Sequence, residues 1–434
     1  MALEYAHGAI QWLAADVATT TYTVSGLAFQ PKALRFFCVG HQSATDAATA
    51  TVDLRMSVGF AVSTSSRRCV AIFDDDGAAS MDCGAGLRDD CVIATIIGAG
   101  TFDGMLDLNA INSDGFSLIV DDAAPVNITV FWEAWGGSDI TVAALVDIAE
   151  PAATGNQSYT ATGFTSDGAN QVVMFAGCQS TAAANTGAAA DAGLCIGYAT
   201  GTGATAQIVA AINQDDGSNT ADTDGYALSS ECLAMIALAG GNPNARAAIN
   251  AWATNGFQLN WIAIATTNRR YIAMAIKGGQ WAVGESTIDV DTVNNTSMVS
   301  GLAFQPIGFS LVSESRTEST AGTSSTTGML TNGCASSTTS RRALGMLDEN
   351  ATASSVCEVD LAIEYDGAMV RPSNAGALTW VIDVNAVNSD GFQLIVDSAV
   401  SGEGVIWYGY LAFASAAAGL SIPVAMHEYR RLRS

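Results

Sequence analysis

The chain has 434 residues, and at roughly 100–200 residues per domain this length predicts about two to four domains, each with its own core. Asp and Glu number 42 against 17 for Lys and Arg, and the formal charge of −25 argues against a nucleic-acid binder, which needs clustered cations. Because 49% of the residues are hydrophobic, the composition also excludes a disordered protein.

The start of the chain and its most apolar runs predict neither an export signal nor a membrane span. Glu4 stands where a secretory signal carries positive charge, and no long apolar stretch follows it. The apolar run at 262–276 is interrupted by Arg269 and Arg270, whereas a span needs about 18 consecutive apolar residues. We therefore expect a protein that assembles in a cytoplasm without a membrane anchor.

Short strand-like segments follow one another along the chain. They are rich in β-branched or aromatic residues and are bounded by Gly, Pro or Ser, which predicts strands. In chain order the clearest segments are 33–39, 116–120, 172–176, 257–262 and 309–313. Helical periodicity is scarce, so we expect an all-β protein.

Two motifs of the first third of the chain recur in the last third. Residues 25–31, Ser-Gly-Leu-Ala-Phe-Gln-Pro, are repeated at 300–306, and Asn-Ser-Asp-Gly-Phe at 112–116 is repeated at 388–392. The two motifs start 87 residues apart in the first copy and 88 apart in the second. Agreement of both sequence and spacing predicts a duplicated domain.

The middle of the chain carries a third, more diverged copy. Thr162-Gly163-Phe164 stands at its start, and residues 254–259, Thr-Asn-Gly-Phe-Gln-Leu, match the second motif. The joins between copies carry Pro151, Gly155 and an Asp/Asn/Thr-rich run, as linkers do. The predicted organisation is an N-terminal segment at 1–16, repeats at 17–140, 155–282 and 290–415, and a C-terminal tail at 416–434.

The Asp-Gly and Asn-Gly pairs predict the turns of β-hairpins, because the positive-φ positions of a type I′ turn favour these residues. The predicted turn residues are Asp114, Gly115, Asn255, Gly256, Asp390 and Gly391. Short strands with frequent turn signals and no βαβ rhythm predict three tandem antiparallel β-sandwich repeats, jelly-roll-like, of roughly 115–125 residues each.

The sequence predicts no catalytic residue and no cofactor. A Ser or Cys hydrolase needs a His base beside its nucleophile, but the only histidines are His7, His41 and His427, and no G-x-S-x-G motif is present. Cleavage of a polysaccharide would need two carboxylates across a groove, and no acid is framed by aromatic residues in a repeated way.

One acidic stretch is a candidate calcium loop. It comprises Asp74, Asp75 and Asp76, followed by Asp89 and Asp90. Several carboxylate oxygens on one loop would suit calcium, but the spacing does not match an EF-hand, and a solvated acidic loop is the alternative. The acidic runs that begin at Asp215 and Asp348 stand at comparable points of the other two copies.

Arginine pairs are candidate assembly contacts. Arg67-Arg68 and Arg341-Arg342 could bind carboxylates or anions in pairs, cap Asp-rich loops of their own domain, or dock neighbouring subunits. The tail holds the only concentrated positive charge. Its arginines, Arg430, Arg431 and Arg433, would either anchor the chain on an acidic partner or belong to a frayed end.

Cysteine and tryptophan usage favours burial over chemistry. The nine cysteines form an odd set without a C-x-x-C pair, so we expect buried free thiols, with a disulfide among Cys69, Cys83 and Cys91 as the alternative. The eight tryptophans stand mostly in predicted strands and are expected in cores, although exposed indoles would suit sugar rings.

The motif Gly-Leu-Ala-Phe-Gln-Pro-Lys-Ala-Leu at 26–34, closed by 112–116, resembles a β-sandwich module of structural proteins in tailed bacteriophages. The resemblance covers most of the chain if the middle copy counts, although Thr165-Ser166-Asp167 replaces Ala-Phe-Gln there. It implies a virion component built of tandem non-catalytic modules, assembled in the host cytoplasm with other virion proteins.

Within that resemblance the expected role is a surface appendage such as a tail fibre or tail tip, because three domains in series give an extended reach. Such an appendage would contact a host-surface glycan or receptor. A capsid decoration or cement protein is the alternative, favoured by the acidity and by the lack of a fibre-forming stretch. Either one would be a homo-oligomer or an array. A polysaccharide-degrading virion enzyme is the alternative from another class.

Overall fold

The structure is a computed structural model. It describes residues 2–49, 53–75, 80–98, 100–181, 184–185, 189–237, 241–265, 268–314, 328–348, 359–373 and 376–416. Every regular element among them is a β-strand and every strand pair is antiparallel, which confirms the predicted all-β sandwich class. None of the described segments forms a helix long and apolar enough to cross a membrane.

The strands group into three units of the same strand order. The first unit contains β1 (Glu4–Trp12), β2 (Thr21–Val24), β3 (Pro31–Cys38), β5 (Leu54–Ser63), β6 (Ser66–Asp74), β7 (Cys83–Arg88), β8 (Ile93–Ile97), β9 (Thr101–Asn112), β10 (Gly115–Asp122) and β11 (Ile128–Gly136). Its large sheet has the order β1-β11-β3-β5-β6-β7, and its small sheet has the order β2-β10-β9-β8.

The second and third units repeat this topology. The second contains β12 (Val142–Ala149), β13 (Gly155–Thr160), β14 (Gln171–Cys178), β16 (Ala192–Ala199), β17 (Gln207–Gln214), β18 (Thr223–Leu228), β19 (Leu233–Ile236), β20 (Pro243–Ala253), β21 (Gly256–Ala263) and β22 (Arg270–Lys277). The third contains β23 (Gln280–Asp289), β24 (Thr296–Val299), β25 (Gly308–Ser313), β26 (Gly328–Ser337), β27 (Ser340–Asp348), β28 (Val359–Glu364), β29 (Met369–Pro372), β30 (Leu378–Asn388), β31 (Gly391–Ser398) and β32 (Val405–Ala414). The large sheets run β12-β22-β14-β16-β17-β18 and β23-β32-β25-β26-β27-β28, and the small sheets run β13-β21-β20-β19 and β24-β31-β30-β29.

The first strand of each unit lies before the domain boundary expected from the sequence. β1 falls in the segment assigned to residues 1–16, β12 falls in the first join, and β23 falls across the second. Each of these strands pairs along its whole length with the last strand of the same unit. By strand pairing, each unit therefore begins one strand earlier than the sequence predicts. The segments that join the units are only residues 137–141 and 278–279.

The large sheets are buried on both faces. β14 and β16, for example, are buried at every position, whereas β2 and β13 in the small sheets have only exposed and partly buried positions. One face of each large sheet packs on its own small sheet. The other face contributes to one hydrophobic cluster shared by all three units, which includes Phe131, Trp135, Met174, Met274, Leu344 and Leu411. The units therefore surround a common core with approximate threefold symmetry.

The ends of the described chain meet beside the joins between units. The Leu3 backbone N–H donates to Ser415 Oγ at 3.1 Å, and the Ala2 N–H donates to Ser138 Oγ at 3.2 Å. The Ala416 N–H donates to Asp139 Oδ2 at 2.7 Å. Both ends of the described chain and the first join thus lie together.

The two motifs that mark the repeats contact each other in every unit. The side chain of the hairpin turn accepts a hydrogen bond from the backbone amide of the glycine in the first motif. The pairs are Gly26 with Asp114 at 3.3 Å, Gly163 with Asn255 at 2.8 Å, and Gly301 with Asp390 at 3.3 Å. The repeated sequence therefore records one structural contact, which ties the turn to the segment entering the large sheet.

The glycines after these turns have a different role from the predicted one. Gly256 and Gly391 are first residues of strands without a positive φ, and Gly115 is close to extended at 156°. A Cβ would lie about 2 Å from a neighbouring carbonyl oxygen in each case: Val24 for Gly115 (2.0 Å), Tyr159 for Gly256 (2.1 Å) and Val299 for Gly391 (1.9 Å). Glycine is required by close strand approach and not by a type I′ turn.

Candidate functional site

The candidate site lies at the contacts between the units. Two short strands from loops leave their own unit and pair with the free edge of a neighbour's large sheet. β4 (Ala47–Thr49) of the first unit pairs with β28 of the third, and β15 (Ala189–Ala190) of the second pairs with β7 of the first. Unpaired sheet edges invite aggregation, so this exchange both links the units and covers two edges.

A buried ion pair lies among the apolar residues of the common core. Arg35 on β3 contacts Glu133 on β11 at 2.7 Å, and both side chains are fully buried. The Tyr5 hydroxyl donates to Glu133 Oε1 at 2.8 Å. Burial raises the pKa of Tyr5 well above its usual range, so the hydroxyl keeps its proton and remains a donor.

Partners from the other two units complete this polar cluster. Ser310 Oγ donates to Glu133 Oε1 at 2.6 Å, and Arg35 Nη2 donates to Asn332 Oδ1 at 2.8 Å. The Arg35 guanidinium also lies 5.6 Å from the centre of the Tyr198 ring. One charge pair of the first unit is therefore contacted by residues of the second and third.

The equivalent positions of the other units carry no charge. Met174 pairs with Met274 in the second unit, and Ser310 pairs with Leu411 in the third, where Arg35 pairs with Glu133 in the first. A buried pair contributes little net stability, but its partners can specify which surfaces meet. The three units therefore present different residues to the common core at this position.

The first arginine of each predicted pair binds a carboxylate of the same chain. Arg67 Nε donates to Asp107 Oδ1 at 2.5 Å, and Arg341 Nη2 donates to Asp383 Oδ2 at 2.5 Å. Each pair joins the large sheet of a unit to its small sheet. In the first and third units these arginines thus brace their own sandwich, in line with the alternative in which they bind local carboxylates.

The second arginines of the two pairs differ, because Arg68 contacts another unit whereas Arg342 contacts Tyr365 of its own unit. Arg68 binds both carboxylate oxygens of Asp147 on β12, at 2.8 and 3.1 Å. Arg342 Nη1 donates to the Tyr365 carbonyl at 2.7 Å, and its guanidinium stacks 5.0 Å from that ring. Arg430, Arg431 and Arg433 lie outside the described residues.

The acidic residues predicted as a calcium loop lie at two separate places in the structure. Asp74 ends β6, whereas Asp89 and Asp90 follow β7 at the opposite end of the same strand pair, about 20 Å or more away at roughly 3.4 Å per residue. Asp90 binds Arg88 at 2.7 Å, and the Asp89 backbone N–H donates to Asn185. A single site from these residues is therefore ruled out. Asp75 continues from Asp74, and Asp76 lies outside the described residues.

Asp74 instead meets equivalent residues of the other units at the axis. Asp74, Gln214 and Asp348 are the last residues of β6, β17 and β27, and all three are buried. Thr223 Oγ1 lies 2.9 Å from both Gln214 Oε1 and Asp348 Oδ2. Burial and the nearby Asp348 raise the pKa of Asp74 well above its usual range. The cavity here is about 10 Å³, which holds one water-sized particle and excludes a sugar.

His7 forms a contact that the sequence did not indicate, because residues 1–16 were set apart from the repeats. Its Nε2 lies 3.1 Å from Ser340 Oγ and 3.3 Å from Ser336 Oγ of the third unit. Burial, with a smaller contribution from Arg342, lowers the pKa of His7 to about 4, so the imidazole is neutral. Nδ1 is buried without a hydrogen-bond partner among the described residues, so the orienting carboxylate of a catalytic triad is missing there.

Cysteines and tryptophans lie mainly in cores. The eight described cysteines are buried free thiols, and the Sγ atoms of Cys69 and Cys91 lie 3.6 Å apart. Cys357 lies outside the described residues. Six tryptophans are buried, and Trp252 and Trp281 are partly buried, so none of the eight is fully exposed as a stacking platform.

Comparisons of the chain with models of protein families and with curated proteins find no match. The fold and the contacts between its units are therefore the basis for any functional assignment.

Proposed function

We propose that the chain is a non-enzymatic structural protein of a tailed-phage virion, exposed on the particle surface at a position of threefold symmetry. The observation that carries this proposal is the arrangement of three topologically equivalent sandwiches around one buried core, with edge strands exchanged between units. One chain in this arrangement provides the surfaces that a symmetric trimer would provide.

Two physical properties support a structural role. The edge strands β7 and β28 are covered by strands from neighbouring units, which reduces uncontrolled association between sheets. The formal charge of −25 would keep particles that display many copies apart from one another in solution. Together with the resemblance of the repeated motifs to phage structural modules, these properties favour an assembled, inert component.

The packing of the units favours capsid decoration over a reaching appendage. The expectation of a tail fibre depended on domains placed in series. The three units instead pack side by side, and both ends of the described chain lie together. A compact body with approximate threefold symmetry suits a threefold position of a capsid lattice, where each unit would meet an equivalent neighbour.

Immunogold labelling of intact particles tests this proposal, with an antibody raised against the whole purified chain. Gold distributed over the head would support decoration. Gold confined to the tail would retain the virion role but move the protein to an appendage, with a host glycan or receptor as the next partner to test. Absence of gold from particles that contain the protein's gene would overturn the virion role and return attention to the polysaccharide-degrading alternative.

A further inference from the structure

The two exchanged strands create two equivalent junctions, and the same backbone contact occurs at both. At the junction of the second and first units, Asn185 Oδ1 accepts the Asp89 backbone N–H at 3.0 Å. At the junction of the first and third units, Asp46 Oδ1 accepts the Tyr365 backbone N–H at 2.6 Å. The residues around these two contacts can therefore be compared position by position.

At the first junction the chain supplies its own cation. Arg88 is the last residue of β7, and its guanidinium binds both oxygens of the Asp90 carboxylate, at 2.9 and 2.7 Å. The same guanidinium lies 4.9 Å from the centre of the Phe102 ring. Arg88 thus neutralises Asp90, and the neutral amide of Asn185 donates to the Asp89 carboxylate on the other side.

At the second junction each of these positions carries an acid. Glu364 is the last residue of β28 and replaces Arg88, Asp366 replaces Asp90, and Asp46 replaces Asn185. One oxygen of each carboxylate lies within 4.8 Å of the others. Three negative charges thus converge where the first junction contains an arginine, an aspartate and an amide.

One carboxylate oxygen of this cluster has no donor among the described residues. Glu364 is only 3% exposed, and its Oε1 is buried without a hydrogen-bond partner among the described residues. The two nearest arginines are directed elsewhere: Arg341 donates to the Asp366 backbone carbonyl and Arg342 to that of Tyr365. A buried carboxylate without a donor is costly unless a cation or a proton neutralises it.

We propose that Asp46, Glu364 and Asp366 bind one calcium ion, which replaces at this junction the positive charge that Arg88 provides at the other. Calcium prefers carboxylate and water oxygens at about 2.3–2.6 Å, so oxygens on opposite sides of the ion stand roughly 4.6–5.2 Å apart. Three oxygens that lie within 4.8 Å of one another are therefore close enough to contact the same ion. Because Asp46 and Asp366 are exposed, water completes the coordination.

The ion would join two units. Asp46 immediately precedes β4 of the first unit, whereas Glu364 ends the third unit's edge strand, β28, and Asp366 follows it. Binding therefore holds the exchanged strand on its neighbour's sheet. Burial and the charges of Asp46 and Asp366 also raise the pKa of Glu364 to about 8, as expected for a carboxyl group that lacks a neutralising cation.

Calorimetric titration and thermal melts of the full chain test the site after treatment with a chelator. We expect one calcium ion per chain to bind with an affinity lost on Glu364→Gln, and the melting temperature to rise by about 3 °C when free calcium exceeds the dissociation constant ~100-fold. Magnesium at the same ionic strength should give a smaller shift, because it demands a smaller octahedral site.

A variant that copies the first junction gives the sharpest result. Glu364→Arg should remain folded, lose calcium binding and melt independently of calcium. Asp90→Asn changes the matched aspartate of the other junction and should keep the full calcium response. The proposal is overturned if the wild-type chain binds no calcium, or if Glu364→Gln and the wild type respond equally. Glu364→Gln decides the question if Glu364→Arg fails to fold.

Discussion

The outer turns and the central axis of the molecule differ in how closely the three units follow one another. At the outer turns all units use the same contact between an Asp or Asn side chain and a glycine amide. At the axis the equivalent positions carry Arg35 and Glu133, two methionines, or Ser310 and Leu411. Residues that serve a unit's own fold are repeated, whereas residues that meet a different neighbour in each unit have diverged.

The largest effect is expected from breaking the ion pair at the axis. Arg35→Met places the second unit's residue in the first and leaves Glu133 buried without its partner, which should lower the free energy of unfolding by about 3–5 kcal/mol. Urea unfolding followed by tryptophan fluorescence measures the change. The double variant Arg35→Met/Glu133→Met copies the second unit fully and should recover most of the loss. A double variant as unstable as the single one would contradict this explanation.

A substitution at an outer turn should have the next largest effect. Gly391→Val places a side chain about 2 Å from the Val299 carbonyl oxygen, and the resulting overpacking should cost about 1–3 kcal/mol. Thermal melts and urea midpoints report it. Gly203→Ala is the control, because a Cβ there meets nothing within 4 Å, and its midpoint should remain that of the wild type. Equal midpoints for both variants would show that strand approach does not require glycine.

Removing one turn side chain should have a smaller effect. Asp114→Ala deletes the acceptor of the Gly26 amide, and a lost hydrogen bond of this kind costs about 0.5–1.5 kcal/mol. Asp114→Asn reproduces the residue of the second unit, Asn255, and should remain near wild-type stability. If both variants lost the same stability in urea unfolding, the contact would depend on charge and not on the shared acceptor geometry.

An effect of pH is expected at the acidic junction in the absence of calcium. Because the folded-state pKa of Glu364 is about 8 and lies above its unfolded value, its favourable contribution is fully present below about pH 4.5 and is lost as the pH rises through 8. Asp46, Asp366, Arg341 and Arg342 surround it. Melts between pH 5 and 9 should show a decline that Glu364→Gln reduces; identical profiles would contradict the shift.

The sequence predicted what repetition and local chemistry encode. The strand class, the turns at Asp114, Asn255 and Asp390, and the comparable placement of the runs at Asp74 and Asp348 were all visible in it. The first strand of each unit was missed because the Asp/Thr/Gly-rich segments that suggested linkers follow it. The common core was also missed, because a run such as 172–176 indicates burial without indicating which two surfaces cover it.

The candidate site was predictable only in part. Asp74 was identified but was grouped with Asp89 and Asp90, since closeness in sequence says nothing about which end of a hairpin a residue occupies. Glu364 and Asp366 carried no motif. Their signal was the comparison of Arg88-Asp89-Asp90 with Glu364-Tyr365-Asp366, which has meaning only once the two strands are known to be equivalent.

Leu3 contacts Ser415 beside the join at 137–141. The order of the units along the chain therefore depends on which ends are covalently connected, and the packing of the units does not require that order. A circular permutant with the two ends linked and a new opening in that join would keep every pair of sheets and both exchanged strands. The cyclic arrangement of neighbours, and with it the asymmetry placed at the axis by Arg35 and Glu133, would be unchanged.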